Sequence, residues 1–388
     1  MKKHIKFLVL LLSLALLIGC IAIVASADSG NVAKIGDTEY ATLNAAIQAV
    51  EEGGTITLIK DVSQGSYSIG KSHTLDLNGH TITSTYDHLF HVNGNVEFNV
   101  IGSGDIKNVE RLIVTNSETF APTITFTGSG EGISVYQNPR KTDSIVQMLH
   151  GKAYFKNMNF YAKDMAGESA VFRGSNNGTS YMEFYKCKIL LDGPIDNSSD
   201  AIFAPHGAAS VKFMNSHLET HGAIVLCKDG TADCNLHILN SVVKVTPHPN
   251  MTSDQRKVCA LSGWGTSVTN PIVVEDSYVE FYYRLQGSGG AKAKFINSTL
   301  RHIGLTETDS SNDRILSRFG YVEFDGTSVY IMNAVAGDIT FSSDGNGGKV
   351  IIAEGFRTNS ENLIKKSSYK GFVCPDKNTY DKTNEFMV

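Results

Sequence analysis

Short apolar segments recur along the chain, and the same polar corner follows each of them. They are rich in Val, Ile and Phe and are bounded by Asn, Asp, Ser and Gly, which is typical of strands. A repeat of this length predicts a stacked fold in which each unit contacts only its neighbours. The segment Phe-Lys-Asn-Met-Asn-Phe at 155–160 returns in similar form at 184–189, 213–218, 239–243, 274–279, 295–300 and 324–329.

A second apolar phrase repeats out of step with the first, as in Ala-Val-Phe at 170–172 and Ala-Ile-Phe at 201–203, and a glycine usually follows it. One unit therefore contains an apolar strand, a Gly corner, a second apolar strand, the Asn-Ser corner and a variable stretch. Because one unit cannot bury its own apolar face, the units have to stack to form a core. The pattern predicts an all-β solenoid, a single-stranded right-handed parallel β-helix of roughly ten coils.

The polar corner has a structural explanation. Asn tolerates the left-handed backbone region and hydrogen-bonds its own chain at turns. We therefore predict a structural ladder of side chains stacked at one corner, with a row of small hydroxyl residues beside it and Cys187 in line with that row. The ladder residues are Asn157, Asn215, Asn240, Asp276 and Asn297, and the hydroxyl residues are Ser216, Ser241, Ser277, Ser298 and Thr327.

The two ends of a solenoid carry unpaired strand edges, which favour aggregation unless they are covered. Apolar residues at i, i+3, i+4 and i+7 from Leu43 predict a helix over about 43–52, with Thr42 as its N-cap. The predicted divisions are an N-terminal cap over 28–59 (this helix and the first strand), a parallel β-helix over 60–355, and a C-terminal cap and tail over 356–388.

Residues 1–27 are predicted to be a secretory signal peptide, because three lysines precede an apolar run that ends in Ala-Ser-Ala at 25–27. The segment Leu-Ile-Gly-Cys at 17–20 resembles a bacterial lipobox, which would instead leave a lipid anchor on Cys20. Either option predicts a secreted or extracellular protein. No stable transmembrane helix is expected after cleavage.

Charge and cysteine content restrict the classes of partner and the disulfide bonds that are expected. The chain has 34 basic and 39 acidic residues, a formal net charge of −5. No basic cluster interleaves with aromatic residues, so nucleic-acid binding is not expected. The cysteines are irregularly spaced and predict no disulfide framework, although Cys227 and Cys234 flank a turn across which they could pair. We expect a monomer.

The opening of the mature chain resembles that of right-handed β-helix proteins of the pectate-lyase-like superfamily. The resemblance rests on residues 33–43, on Gly-Thr-Ile-Thr-Leu-Ile-Lys-Asp-Val at 54–62 and on Leu-Asp-Leu-Asn-Gly-His-Thr-Ile at 75–82. The chain is most similar to uncharacterised secreted members from Gram-positive bacteria. This resemblance implies fold and export. The superfamily includes lyases, glycoside hydrolases, carbohydrate esterases, adhesins and proteins without activity, so the resemblance does not select a function.

The catalytic segments of these enzymes are mostly missing. The polygalacturonase segments Asn-Thr-Asp, Asp-Asp, Gly-His-Gly and Arg-Ile-Lys do not occur. Asp-Ala-Ile-Phe-Ala at 200–204 is similar to the Asp-Phe-Ile-Phe-Gly segment of pectin methylesterases, but no Gln-Asp-Thr-Leu segment accompanies it. Asp200 also fits a structural position before a repeat strand. A pectate lyase would need clustered acids that bind Ca²⁺, with an Arg or Lys nearby.

Histidine and tryptophan supply further candidates. His206, His217 and His221 lie close together between two strand phrases and form a candidate acid–base site. The alternative is structural, since His217 fits an outward position after the corner and the other two fit loops. Trp264, the single Trp, lies between two glycines at a corner. It is either a packed residue or a platform on which a sugar ring stacks.

Length variation concentrates at one phase of the repeat, between the strand after the Asn-Ser corner and the next Ala-Ile-Phe strand. Inserts at one phase of a solenoid emerge on one side, which is often the binding face. These inserts are rich in acidic and hydroxyl residues, so we predict a loop face that binds glycan, with Ca²⁺ as its candidate cofactor. The candidate ligand-binding residues are Asp164, Glu168, Asp192, Asp196, Asp200, His206, Trp264, Asp309 and Asp313.

These observations favour a secreted, non-catalytic β-helix protein that presents a loop face to a glycan or a cell surface. The alternative is a carbohydrate-active enzyme, a polysaccharide lyase or carbohydrate esterase, on the same fold. An enzyme would bring together two carboxylates, or a carboxylate with Arg, Lys or His, in a groove.

Overall fold

The protein is described here from a computed structural model. It is an all-β protein with long parallel sheets, and its strands follow one another in a repeating order of three. The described residues are 30–115, 119–138, 144–163, 170–174, 179–192, 201–204, 208–227, 235–250, 260–263, 271–287, 291–304, 314–317, 319–332, 340–341, 349–353 and 355–359.

The first strand of each repeat precedes the polar corner. These strands form the first stack, and each of them pairs in parallel with its equivalent in the next repeat. In chain order they are β3 (Thr55–Leu58), β6 (His73–Asp76), the first part of β9 (Glu97–Val109), the first part of β11 (Thr123–Gln137), β13 (Gly151–Lys156), β16 (Thr179–Tyr185), β19 (Ala208–Met214), β22 (Asn235–Leu239), β25 (Ile272–Glu275), β28 (Lys292–Ile296), β31 (Tyr321–Asp325) and β34 (Lys349–Ile352).

The second strand of each repeat follows the polar corner and forms the second stack. In two repeats the chain passes the corner without a break, so β9 and β11 belong to both stacks. The other members are β4 (Val62–Gln64), β7 (Ile82–Ser84), β14 (Met158–Lys163), β17 (Lys188–Asp192), β20 (His217–Thr220), β23 (Val242–Val245), β26 (Tyr278–Phe281), β29 (Thr299–His302), β32 (Ser328–Ile331) and β35 (Arg357–Thr358).

The third strand of each repeat belongs to a separate 11-stranded sheet, also parallel. With the first two stacks, which share a 24-stranded sheet, this arrangement is compatible with a β-solenoid. The third stack contains β5 (Tyr67–Ile69), β8 (His88–Val92), β10 (Arg111–Thr115), β12 (Val146–Met148), β15 (Ala170–Gly174), β18 (Ala201–Ala204), β21 (Ala223–Cys227), β24 (Leu261–Gly263), β27 (Leu285–Gln286), β30 (Arg314–Ser317) and β33 (Thr340–Phe341).

Aromatic side chains form the middle of the core. Phe155, Phe184 and Phe213 are partners in adjacent strands of the first stack, and all three are fully buried. Phe184 stacks on Phe155 and on Phe213, with a distance of 4.9 Å between ring centroids in each case. Its ring also lies 4.4 Å from that of Phe172 in the third stack. Equivalent positions of successive repeats thus supply one continuous core.

The N-terminal end departs from the parallel pattern. Strand β1 (Ala33–Ile35) pairs antiparallel with β2 (Thr38–Tyr40) and with β3. Helix α1 spans Leu43–Ala49, with Thr42 as its N-cap, accepting a hydrogen bond from the Ala45 N–H at 3.1 Å. The helix ends three residues before the predicted 52, because Val50 adopts an extended backbone.

The backbone oxygens at the end of α1 are hydrogen-bonded by a lysine. The Lys71 ammonium donates hydrogen bonds to the backbone oxygens of Gln48, at 3.2 Å, and Val50, at 3.0 Å. It thereby satisfies carbonyls that the helix end leaves unpaired. At the other end of the protein, β35 pairs with β32, so the parallel pattern continues beyond the predicted boundary at 355. Residues 360–388 lie outside the described part of the chain.

The polar corner contains two parallel rows. In the outer row the backbone takes positive φ at every predicted ladder residue, between 45° and 52°, and Lys186 occupies the same place with φ 53°. One side-chain hydrogen bond within the row joins Asn240 Nδ2 to Asn215 Oδ1. Asn157 Nδ2 instead donates to the backbone oxygens of Gly128 and Gly130.

The inner row is buried and hydrogen-bonded from repeat to repeat, and we call it the serine row. Each backbone N–H donates to the side-chain oxygen one repeat on, and each hydroxyl donates to the carbonyl two residues before it, at 2.6–3.0 Å. The N–H donors, acceptors and distances run Cys187 to Ser216 (3.1 Å), Ser216 to Ser241 (3.0 Å), Ser241 to Ser277 (3.0 Å), Ser277 to Ser298 (3.1 Å) and Ser298 to Thr327 (3.3 Å).

Cys187 belongs to the same buried environment. Its Sγ lies 3.3 Å from the backbone oxygen of Phe155 and 3.5 Å from that of Tyr185. Burial raises the pKa of the thiol to about 12. The thiol therefore stays protonated at neutral pH and fills a place in the core rather than acting as a nucleophile.

A buried histidine makes stability depend on pH. His302 is 4% exposed, its Nε2 donates to the Tyr283 backbone oxygen at 2.8 Å, and burial lowers its pKa to about 4. In the unfolded chain a histidine has a pKa of about 6.5. Between these two values the unfolded state binds a proton that the folded state does not, so stability is full above about pH 6.5 and falls as the pH drops towards 4.

We expect the free energy of unfolding to fall by about 1–3 kcal/mol between pH 7 and pH 4.5 through this residue. Denaturant unfolding of the parent and of His302→Leu at both pH values measures the effect. The variant should lose this part of the pH dependence. Equal slopes in the two proteins would contradict the assignment.

Among the described residues, no helix has the length and apolar character needed to span a membrane.

Candidate functional site

Most of the predicted ligand-binding residues lie outside the described part of the chain. Asp192 is the exception, as the last residue of β17. Cys20 and Cys234 also lie outside it. The other predicted ligand-binding residues, all outside the described part, are Asp164, Glu168, Asp196, Asp200, His206, Trp264, Asp309 and Asp313.

Asp192 lies close to two histidines that follow equivalent strands of the next two repeats. Its neighbour Leu191 is the partner of Thr220, and Thr220 is the partner of Val245. This register places Asp192 level with His221, the residue after β20. His248 follows β23 by three residues. We call the C-terminal end of β17, β20 and β23, with Asp192, His221 and His248, the loop edge.

The three side chains of the loop edge converge. No two of their ligand atoms are more than 4.8 Å apart. The His221 Nε2 lies 3.5 Å from Asp192 Oδ1, and the rings of His221 and His248 meet edge to face with centroids 5.0 Å apart. His221 is 18% exposed and Asp192 48% exposed, so the cluster opens to solvent on the aspartate side.

The orientation of His221 is fixed by the neighbouring repeat. Its Nδ1 lies 2.7 Å from the backbone oxygen of Thr246, close enough for a hydrogen bond in which Nδ1–H donates. A carbonyl accepts but cannot donate, so this contact places the proton of a neutral His221 on Nδ1. The Nε2 lone pair then points towards Asp192. Such a backbone contact is the usual way in which proteins orient a ligating histidine.

His248 is held differently. The Asn250 backbone N–H donates to its Nδ1 at 3.2 Å, which places the proton of a neutral His248 on Nε2. His221 is thus preset with a free lone pair on Nε2, whereas His248 has to change its tautomer or exchange this contact before it can bind a cation. The two imidazoles of the loop edge therefore differ: His221 can bind a cation through Nε2 as it stands, whereas His248 cannot bind one without such a change.

The sequence predicts part of this site. It indicates Asp192 as a ligand-binding residue and His221 as one of three clustered histidines. His217 points outward from β20 and lies 3.3 Å from Glu219. The sequence does not single out His248: it falls in the insert after the third of the equivalent strands, and aligning the Asn-Ser corners brings Thr246 level with His221, with His248 two residues further on.

A cleft lies beside α1. It has a volume of about 380 Å³ and is lined by Asn44, Gln48, Ser68, Lys71 and His73, among others. Its one ammonium group, on Lys71, already caps the helix carbonyls. Burial lowers the pKa of His73, and its Nδ1 lies 2.9 Å from the Lys71 backbone oxygen. The cleft therefore offers hydroxyl and amide groups but no set of residues for acid–base work.

No protein-family model, curated protein or solved structure matches this chain. The similarity to the pectate-lyase-like superfamily therefore rests on the opening motifs of the sequence, together with a parallel-stranded architecture that is compatible with it.

Proposed function

We propose that this is a secreted extracellular or cell-surface protein that binds a glycan or surface ligand through its loop edge, without catalysing a reaction. The scaffold in this proposal is a single-stranded right-handed parallel β-helix whose first repeat is covered by α1. The observation that carries the proposal is the convergence of Asp192, His221 and His248 from three successive repeats.

The location of the cluster supports this reading. The predicted inserts after β17 and β23 begin at the same edge, where a solenoid commonly carries its binding residues. A carboxylate accepts hydrogen bonds and an imidazole both donates and accepts them, which suits the hydroxyl groups of a saccharide. The stacked repeats behind the cluster are buried and hydrogen-bonded, so the site is held by a rigid scaffold.

A polysaccharide lyase or carbohydrate esterase is the second candidate. The pair formed by Asp192 and His221 favours it, because a carboxylate beside an imidazole is a common arrangement for general acid–base work. A screen of acidic polysaccharides for unsaturated products or released methanol distinguishes the two. Turnover that is lost in His221→Gln would select the enzyme, and the absence of product from every substrate would favour the binding protein.

We expect the mature chain to bind a subset of acidic or hydroxyl-rich glycans on an array. Binding should weaken about tenfold or more in Asp192→Asn and His221→Gln, since each removes a polar or charged contact of the site. His217→Gln is the matched control, because His217 lies on the same strand and faces Glu219 instead. Indifference of the wild type to every glycan, or equal loss in the control, would overturn the proposal.

A further inference from the structure

We infer that Asp192, His221 and His248 form a binding site for one divalent transition-metal ion of the zinc class. The inference goes beyond the proposed glycan binding and does not depend on it. Nothing in the sequence analysis predicted it, since the acidic inserts indicated oxygen ligands for Ca²⁺.

Two hydrogen-bond acceptors, His221 Nε2 and Asp192 Oδ1, face each other in this cluster. The carbonyl of Thr246 holds the proton of a neutral His221 on Nδ1, so the Nε2 lone pair points at the carboxylate of Asp192 from 3.5 Å. A divalent metal ion between the two atoms would accept both lone pairs.

The distances between the ligand atoms also fit a tetrahedral metal ion. Nitrogen and oxygen ligands lie about 2.0–2.2 Å from Zn²⁺, which puts two ligands of a tetrahedral ion about 3.4 Å apart. The separation of 3.5 Å between His221 Nε2 and Asp192 Oδ1 fits this value. All three ligand atoms lie within 4.8 Å of one another, so a shift of at most about 1.4 Å by the most distant one completes a tetrahedral face.

His248 is the ligand that has to move. Its Nδ1 accepts a hydrogen bond from the Asn250 N–H, so metal binding through Nδ1 replaces this contact and metal binding through Nε2 requires the other tautomer. The edge-to-face contact with His221 already brings the ring to the cluster. His221 and Asp192 therefore form the preset half of the site, and His248 closes it.

The donor set identifies the class of metal. Imidazole suits Zn²⁺, Co²⁺, Ni²⁺ and Cu²⁺, whereas Ca²⁺ and Mg²⁺ prefer six or more oxygen ligands. Two imidazoles and one carboxylate leave one position of a tetrahedral ion open to water or to an external ligand. Asp192 is 48% exposed, so that position faces solvent. An open, solvent-facing position on the loop edge can accept a carboxylate or hydroxyl from outside.

The test uses the mature chain, made without a polyhistidine tag and dialysed against chelator. This protein is titrated with Co²⁺ and then with Zn²⁺. Tetrahedral Co²⁺ absorbs visible light, so the spectrum reports geometry as well as binding. We expect one equivalent of Co²⁺ to bind, Zn²⁺ to displace it, and Ca²⁺ to have no effect. Asp192→Asn and His221→Gln should bind about tenfold or more weakly, while His217→Gln should bind as the parent does.

Two results would overturn the inference. One is a wild type that binds no Co²⁺ or Zn²⁺. The other is equal binding by the wild type and both site variants. Thermal melts guard against misfolded variants: Zn²⁺ should raise the melting temperature of the wild type and of His217→Gln but not that of Asp192→Asn. Glycan binding that persists in chelator would leave the proposed function standing without the metal.

Discussion

Replacing Phe184 with alanine is expected to lower the free energy of unfolding by about 3–5 kcal/mol. The side chain is fully buried, and its ring contacts the rings of Phe155, Phe172 and Phe213 in neighbouring strands. Its removal opens a cavity that the two flanking repeats cannot close, because each is fixed by its own strand pairing. In a stacked fold the loss also weakens the coupling between the repeats on either side.

Denaturant unfolding of Phe184→Ala, followed by circular dichroism, measures this effect. Phe120→Ala is the control, since Phe120 is 39% exposed and its removal leaves no internal cavity. A Phe184→Ala midpoint as high as that of the control would contradict the packing described here.

The second large effect is expected in the serine row. Ser241→Ala removes the acceptor for the buried Ser216 N–H and the donor to the Leu239 oxygen. The Leu239 oxygen keeps the Asn215 N–H as a donor, but the Ser216 N–H loses its described side-chain acceptor. An unsatisfied buried donor costs about 1–3 kcal/mol, so the melting temperature should fall accordingly.

Two further variants at this corner distinguish the contribution of the Ser241 hydroxyl to stability from that of the backbone turn at Asn240. Ser241→Thr keeps the hydroxyl, as Thr327 does in the same row, and should restore most of the stability. Asn240→Gly keeps the positive φ of 45° at an exposed position and should change stability little. If Ser241→Ala melts like the parent, the serine row does not stabilise the corner.

Much of the architecture could be predicted from the sequence because the repeat determines it. The alternation around Phe155 and Phe184 identifies the strands, and the Asn-Ser corners mark the turns at which φ is positive. The prediction placed the emphasis on an Asn ladder, however. The hydrogen bonds that side chains make from repeat to repeat at the described corner belong mostly to the serine row, because its hydroxyls are buried beside backbone donors while Asn215 and Asn240 are exposed.

The end of α1 could not be predicted in the same way. The apolar pattern continues through Val50, but the Lys71 ammonium, which comes from the strand region beyond the helix, satisfies the carbonyls at its end. This contact depends on how the chain folds back, and nothing in the local sequence encodes it. The continuity of β9 and β11 past the corner is a tertiary feature of the same kind.

The residues of the loop edge could be predicted only in part from the sequence. The inserts indicated on which side of the repeat a site would lie, and they included Asp192. The pairing of Asp192 with His221 and His248 required the strand register, since these residues are far apart in the sequence and come together only when Leu191, Thr220 and Val245 align. The two imidazoles of this cluster suit a transition-metal ion, whereas the acidic inserts predict Ca²⁺ from their oxygen ligands.

We propose that the loop edge binds a metal ion of the zinc class through Asp192, His221 and His248. The most direct test is a crystal structure of the mature chain grown with Zn²⁺, with diffraction data collected on both sides of the zinc absorption edge. We predict one anomalous peak within about 2.0–2.2 Å of Asp192 Oδ1 and His221 Nε2, with His248 as a third ligand. A map with no peak at this edge, or with these three side chains apart, would contradict the account.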